Sequence, residues 1–132
     1  MYKKVLLSDY IEQGRKVLQA LRRADFHVSE AFWYDLPESD EWRLILAAPK
    51  VDDLGPLQAY TILDKVLRRI RSPLSVGEIS LFSPASSQYR ELRRDALGPY
   101  RLETAPATGR ARGGIAFQDA CLYNLPSPVQ SR

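Results

Sequence analysis

The stretch from His27 to Arg71 constrains this chain more than any other, because both of its tryptophans and its longest apolar run lie there. Ala31-Phe32-Trp33-Tyr34 is followed by a short polar segment, Leu36 to Asp40, and then by Trp42-Arg43-Leu44-Ile45-Leu46-Ala47-Ala48. Two apolar runs of strand length around a tight polar loop predict an antiparallel hairpin. With Leu36 to Asp40 as the loop, Asp35 pairs with Glu41, Tyr34 with Trp42, Trp33 with Arg43 and Phe32 with Leu44. One face then carries Phe32, Tyr34, Trp42, Leu44 and Leu46. The other carries Trp33, Arg43, Ile45 and Ala47 and is still half apolar, so it also needs a cover. Trp33, Arg43 and Ile45 are the candidate interface residues, to be covered by the first helix, by a second copy of the chain or by another protein.

The remaining elements follow from periodicity and punctuation. Ser8 to Arg23 sets Tyr10, Ile11, Val17, Leu18 and Leu21 against a polar stripe of Glu12, Arg15, Lys16, Gln19, Arg22 and Arg23, as an amphipathic helix does. Asp9 and Glu12 have the spacing of a capping box, and Glu12 with Lys16 that of a helical ion pair. Lys50 to Gly55 reads as a loop. Pro56 starts a second helix that runs to Arg71 and buries Leu57, Tyr60, Leu63, Leu67 and Ile70. Glu78 to Phe82 is a strand, and Ser83-Pro84 caps and opens a third helix that stops at Gly98-Pro99. Tyr100 to Thr104 and Ile115 to Tyr123 read as the last strands, flanking a glycine-arginine loop over residues 105–114.

The resulting order is α-β-β-α-β-α-β-β, a single α+β (or α/β) domain over residues 1–124 with a flexible tail over 125–132. A chain of 132 residues with 45% apolar residues can bury a core without metals or disulfides. The second strand, its helix and the third strand form a βαβ unit, which makes those two strands parallel. Leu-Arg-Arg recurs at Leu21, Leu67 and Leu92, each time near a predicted helix end, so a shared capping role accounts for it.

Composition narrows the chemistry. One cysteine, Cys121, and one histidine, His27, leave no Cys/His zinc site within one chain and no internal disulfide. No metal, cofactor or catalytic residue is predicted. The amino-terminal apolar run, Val5-Leu6-Leu7, is too short for a signal peptide or a membrane span, and the expected location is cytoplasmic, away from membranes.

The net charge is +3, and 14 of the 19 basic residues are arginine, the side chain best shaped to fork onto phosphate. Open α/β sheets bind ligands at the carboxyl ends of their parallel strands, beside helix amino ends that attract anions. The predicted topology brings Arg22, Arg23, Lys50, Ser83, Ser86, Ser87, Arg110 and Arg112 to that edge. The function expected first is therefore a small non-catalytic binding module for nucleic acid or another phosphate-bearing partner. The alternative is an interaction subunit docking through the Trp33 face, as a homodimer or on another protein. A Mg-dependent nuclease stands last. Asp35 and Glu41-Trp42-Arg43 form a weak version of the Asp…Glu-x-Lys pattern in which two carboxylates hold Mg²⁺ and a lysine steadies the attacking water. Here the spacing is short and arginine stands in place of lysine.

Overall fold

The computed structural model describes residues 8–35, 42–98, 110–111, 114–116 and 120–123. The elements are helix α1 (Ser8–Arg23), strands β1 (Glu30–Asp35) and β2 (Trp42–Ala47), helices α2 (Lys50–Leu54) and α3 (Pro56–Arg69), strand β3 (Ile79–Phe82), helix α4 (Ser87–Leu97) and strands β4 (Arg110–Ala111), β5 (Gly114–Ala116) and β6 (Ala120–Tyr123). The strands form one mixed sheet in the order β3-β2-β1-β6-β5-β4. β2 and β3 are parallel, joined by the α2–α3 crossover, and the other pairings are antiparallel. The fold is α+β.

The hairpin register differs from the expected one by a single residue: Asp35 faces Trp42, Tyr34 faces Arg43, Trp33 faces Leu44 and Phe32 faces Ile45. A one-residue slip exchanges the two faces of a strand. Trp33 therefore joins Ala31, Leu44 and Leu46, packed against Val17, Leu18 and Leu21 of α1 and Leu63, Val66 and Leu67 of α3. Phe32, Tyr34, Ile45 and Ala47 lie on the opposite face, under Tyr89 and Leu97 of α4. The single face shared by Trp33, Arg43 and Ile45 does not form. Trp33 and Ile45 are 2% and 1% exposed, each beneath the chain's own helices. Full burial of such side chains stabilises the fold by roughly 1.5–3 kcal/mol apiece.

Other corrections are local. Lys50–Leu54 is a short helix, where a loop was expected. Gly55, at φ +86°, separates it from α3. Leu57 is 82% exposed, because the buried stripe of α3 is Ala59, Leu63, Val66 and Leu67. Leu57 sits about 200° around the helix from Ala59, at 3.6 residues per turn. α4 begins at Ser87, with Ser86 as its cap, and Ser83-Pro84 forms a turn before it. The expected last strand is split into the β5–β6 hairpin, and Arg110–Ala111, expected in a loop, pairs with β5 as β4. Tyr100 to Thr104, residues 105–109, Arg112, the hairpin loop with Glu41, and the tail over 125–132 lie outside the described residues.

The three-layer arrangement is closed by one buried polar chain. The Trp33 indole donates to the Tyr123 hydroxyl at 2.8 Å, and that hydroxyl donates to the Ile11 carbonyl at 2.6 Å. α1, β1 and β6 are thereby tied together across most of the sequence. Gly14 lets α1 approach this closely: a Cβ there would collide with the Tyr123 hydroxyl and stand 3.1 Å from Trp33 Nε1. Glycine to alanine in an open helix adds up to about 1 kcal/mol of stability. Gly14→Ala should instead cost about 1–3 kcal/mol in urea unfolding, as overpacking does. Tyr123→Phe alone should also lose stability, because it leaves the Trp33 N–H unpaired, and Gly14→Ala with Tyr123→Phe should cost less than the sum of the two, since the hydroxyl that the methyl meets is gone.

Candidate anion-binding groove

α1 and α3 end in the same way. The Phe26 N–H bonds the Leu21 carbonyl at 2.9 Å and the Asp25 N–H bonds Arg22 at 3.0 Å. At the end of α3, the Ser72 N–H bonds Leu67 at 3.0 Å and the Arg71 N–H bonds Arg68 at 3.1 Å. Both are Schellman closures, which require a left-handed residue just past the helix. Asp25 (φ +62°) and Arg71 (φ +52°) occupy those places. The first two Leu-Arg-Arg copies thus share a capping role, with the carbonyls of Leu21 and Arg22, and of Leu67 and Arg68, as the acceptors. The third copy ends its helix by a different bond, from the Gly98 N–H to the Arg94 carbonyl at 2.8 Å.

Between one side of α1 and the segment following α3 runs a groove of about 630 Å³. Asp9, Glu12, Gln13, Lys16, Gln19, Ala20 and Arg23 line it from α1, and Ile70, Arg71, Ser72 and Pro73 from the other wall. The α1 residues recur at three- and four-residue steps, the spacing of one helical side. Glu12 is taken by Arg15, whose Nε lies 3.1 Å from Oε1 and whose Nη2 pairs with Oε2. That hydrogen bond and the carboxylate charge raise the Arg15 pKa, so the guanidinium stays charged. Lys16 makes no ion pair with Glu12, and neither it, Arg23 nor Arg71 has an ion-pair partner among the described residues. Among the described residues the groove therefore carries three cations without an ion-pair partner, beside Asp9 and the Arg15-paired Glu12. The Gln13 side-chain oxygen, buried at the groove, also lacks a hydrogen-bond partner among the described residues.

The residues singled out in sequence are dispersed. Arg22 is exposed but does not line the groove; Arg23 does. Lys50 opens α2. The Ser83 hydroxyl donates to Asp52 at 2.9 Å and accepts from the Ala85 N–H at 3.1 Å. Ser86 accepts from the Tyr89 N–H as the cap of α4, and Ser87 is exposed in its first turn. Arg110 is in β4, at the opposite margin of the sheet from β3 and Ser83. Five strand spacings of about 4.8 Å put roughly 24 Å between those margins, over two Debye lengths at ordinary salt. Arg110 and Ser83 do not share one rim. Arg43 Nε donates to Ser80 at 2.7 Å on the α4 face. Sequence reading missed Lys16 and Arg71 as a pair with Arg23. The run Arg68-Arg69-Ile70-Arg71 was visible, but which arginine turns toward α1 depends on the left-handed turn.

A second polar cluster pins α4 to the sheet. Arg93 donates to both carboxylate oxygens of Glu30, Nε at 2.7 Å and Nη2 at 2.9 Å, and the Tyr89 hydroxyl bonds Glu30 Oε1. The Glu30 and Arg93 side chains are 12% and 24% exposed. All three groups satisfy one another, so the cluster acts as a fastening. Among the described residues no group of three or more His, Cys, Asp or Glu could hold a metal ion. No helix among them is long and apolar enough to cross a membrane. A comparison of the chain with family models, curated proteins and solved structures finds no match.

Burial first, and then the hydrogen bond to Glu30 and its negative charge, push the Tyr89 phenol pKa up. The fold thus holds the protonated phenol. Its contribution is fully present below the unfolded pKa of about 10 and is lost progressively as the pH climbs toward the raised folded value. Tyr89→Phe should be less stable at neutral pH. Above about pH 10 its stability should fall less steeply than wild type, by up to about 1.4 kcal/mol per pH unit. Parallel curves in urea unfolding at pH 9–11 would place the titration elsewhere.

Proposed function

We propose that the chain is a small non-catalytic binding module, in the cytoplasm, for nucleic acid or another phosphate-bearing partner, with the α1–α3 groove as its contact surface. The observation that carries this is the gathering of Lys16, Arg23 and Arg71 along one groove, none with an ion-pair partner among the described residues. Like charges drawn together repel one another, and an anion lying between them removes that cost. Both walls end at helix carboxyl termini, the end of a helix less suited to anions. Binding therefore rests on side-chain cations rather than on backbone N–H groups. Gln13, Gln19 and Ser72 supply neutral hydrogen-bonding groups beside them, suited to sugars or base edges. Docking through Trp33 and Ile45 is the weaker reading, because each is buried under the chain's own helices.

Phosphate contacts release counterions, so affinity falls steeply with salt. The test is fluorescence anisotropy of a labelled single-stranded 20-mer of mixed sequence at rising KCl. Lys16→Ala with Arg23→Ala should weaken binding alike for all sequences and lower the log–log salt slope by about 1.4 units. Absence of binding at low salt, or an unchanged slope, would count against the groove. Arg110→Ala with Arg112→Ala, measured alongside, reports whether the glycine-arginine segment adds contacts of its own. Shortening of the oligonucleotide on adding Mg²⁺ would favour the nuclease with Asp35 and Glu41.

A further inference from the structure

We infer that Arg71 is the anchoring contact of the groove and that its left-handed backbone is retained for the sake of its guanidinium. This rests on the groove being the binding surface. Four described residues have positive φ: Gly55, Gly98, Asp25 and Arg71. Glycine takes this conformation without a Cβ clash, and aspartate is among the side chains that tolerate it. Arginine is not. At the corresponding place after α1, in the same closure, the chain uses aspartate, so arginine at residue 71 departs from what the same chain does there.

The closure itself needs no arginine. It consists of backbone bonds from Ser72 to Leu67 and from Arg71 to Arg68, both of which glycine would make. The carboxyl end of α3 is already supplied with cations, since Arg68 and Arg69 stand in its last turn. Arg68 is held by Asp64 at 3.0 Å. Arg71 differs from both in lining the groove with Lys16 and Arg23, and it has no ion-pair partner among the described residues. Its planar fork suits a phosphate held by two N–H groups, while Lys16 and Arg23 contribute charge along the same strand.

The left-handed turn also gives a test that separates structure from binding. Arg71→Gly keeps the closure and relieves the backbone, and Asp25→Gly does the same after α1, outside the groove. Both variants should melt above wild type, by about 2–5 °C in thermal unfolding for a domain of this size. Only Arg71→Gly should lose affinity for the labelled 20-mer, by about tenfold at low salt, with a salt slope lower by about one unit. Arg71→Asn, neutral and tolerant of the left-handed region, should lose affinity likewise. If wild type binds no oligonucleotide, the groove reading fails and the anchor with it. If wild type binds and Arg71→Gly binds equally well, the anchor alone is overturned. Equal loss in Asp25→Gly would trace the effect to the turns, and a melting temperature of Arg71→Gly below wild type would remove the claimed strain.

Discussion

The bond from the Trp33 indole to the Tyr123 hydroxyl, continued to the Ile11 carbonyl, is the constraint around which the molecule closes. It joins the first helix, a central strand and the last described strand. An unpaired indole N–H or phenol in this buried layer would lose about 1–3 kcal/mol. Satisfying both groups at once fixes how far α1 descends on the sheet, and Gly14 is the residue small enough to allow that depth. With α1 set, one of its sides stays free of the core and faces the end of α3. The groove is thus a by-product of the core's geometry: the side bearing Lys16 and Arg23 is the side that Val17 and Leu21 do not use.

α4 is held differently. It covers the second sheet face with few apolar residues and relies on Tyr89 twice, as a ring packed between Phe32 and Phe82 and as a donor to Glu30. Arg93 completes that carboxylate's partners. A buried charge pair adds little unless its hydrogen bonds are complete, and here they are. The edge strand β3 is guarded as well, since the Tyr60 hydroxyl accepts from the Leu81 N–H. An occupied edge N–H is one fewer template for unwanted strand pairing.

Much of this was legible in the sequence. The limits of α1, the hairpin, the parallel β2–β3 pair and the helix between them follow from periodicity and from proline and glycine placement. The hairpin register was not, for a physical reason. Register is set by contrast between an apolar and a polar face, and both faces of Phe32-Trp33-Tyr34 are apolar. Slipping by one residue leaves both still apolar, so the pattern could not choose, and the Trp33–Arg43–Ile45 face went with the choice. The dispersal of the expected rim has a similar origin. Local patterns do not reveal that β6 inserts beside β1, carrying Arg110 to the far margin from Ser83. Arg71 was hidden because Ser72-Pro73 reads as the helix stop and puts Arg71 in the last turn, whereas α3 ends at Arg69 and Arg71 stands beyond it in the left-handed region.

The central claim is that one side of α1 and the segment after α3 together receive a polyanion. Backbone amide NMR of the isotope-labelled chain, titrated with an unlabelled 20-mer at low salt, tests it most directly. Signals of residues 12–23 and 70–72 are expected to move together along one binding curve, while those of α4 and the Leu57 turn stay in place. Movement centred on α4 or on the β4–β5 hairpin, with the α1 and residue 70–72 signals unmoved, would contradict it.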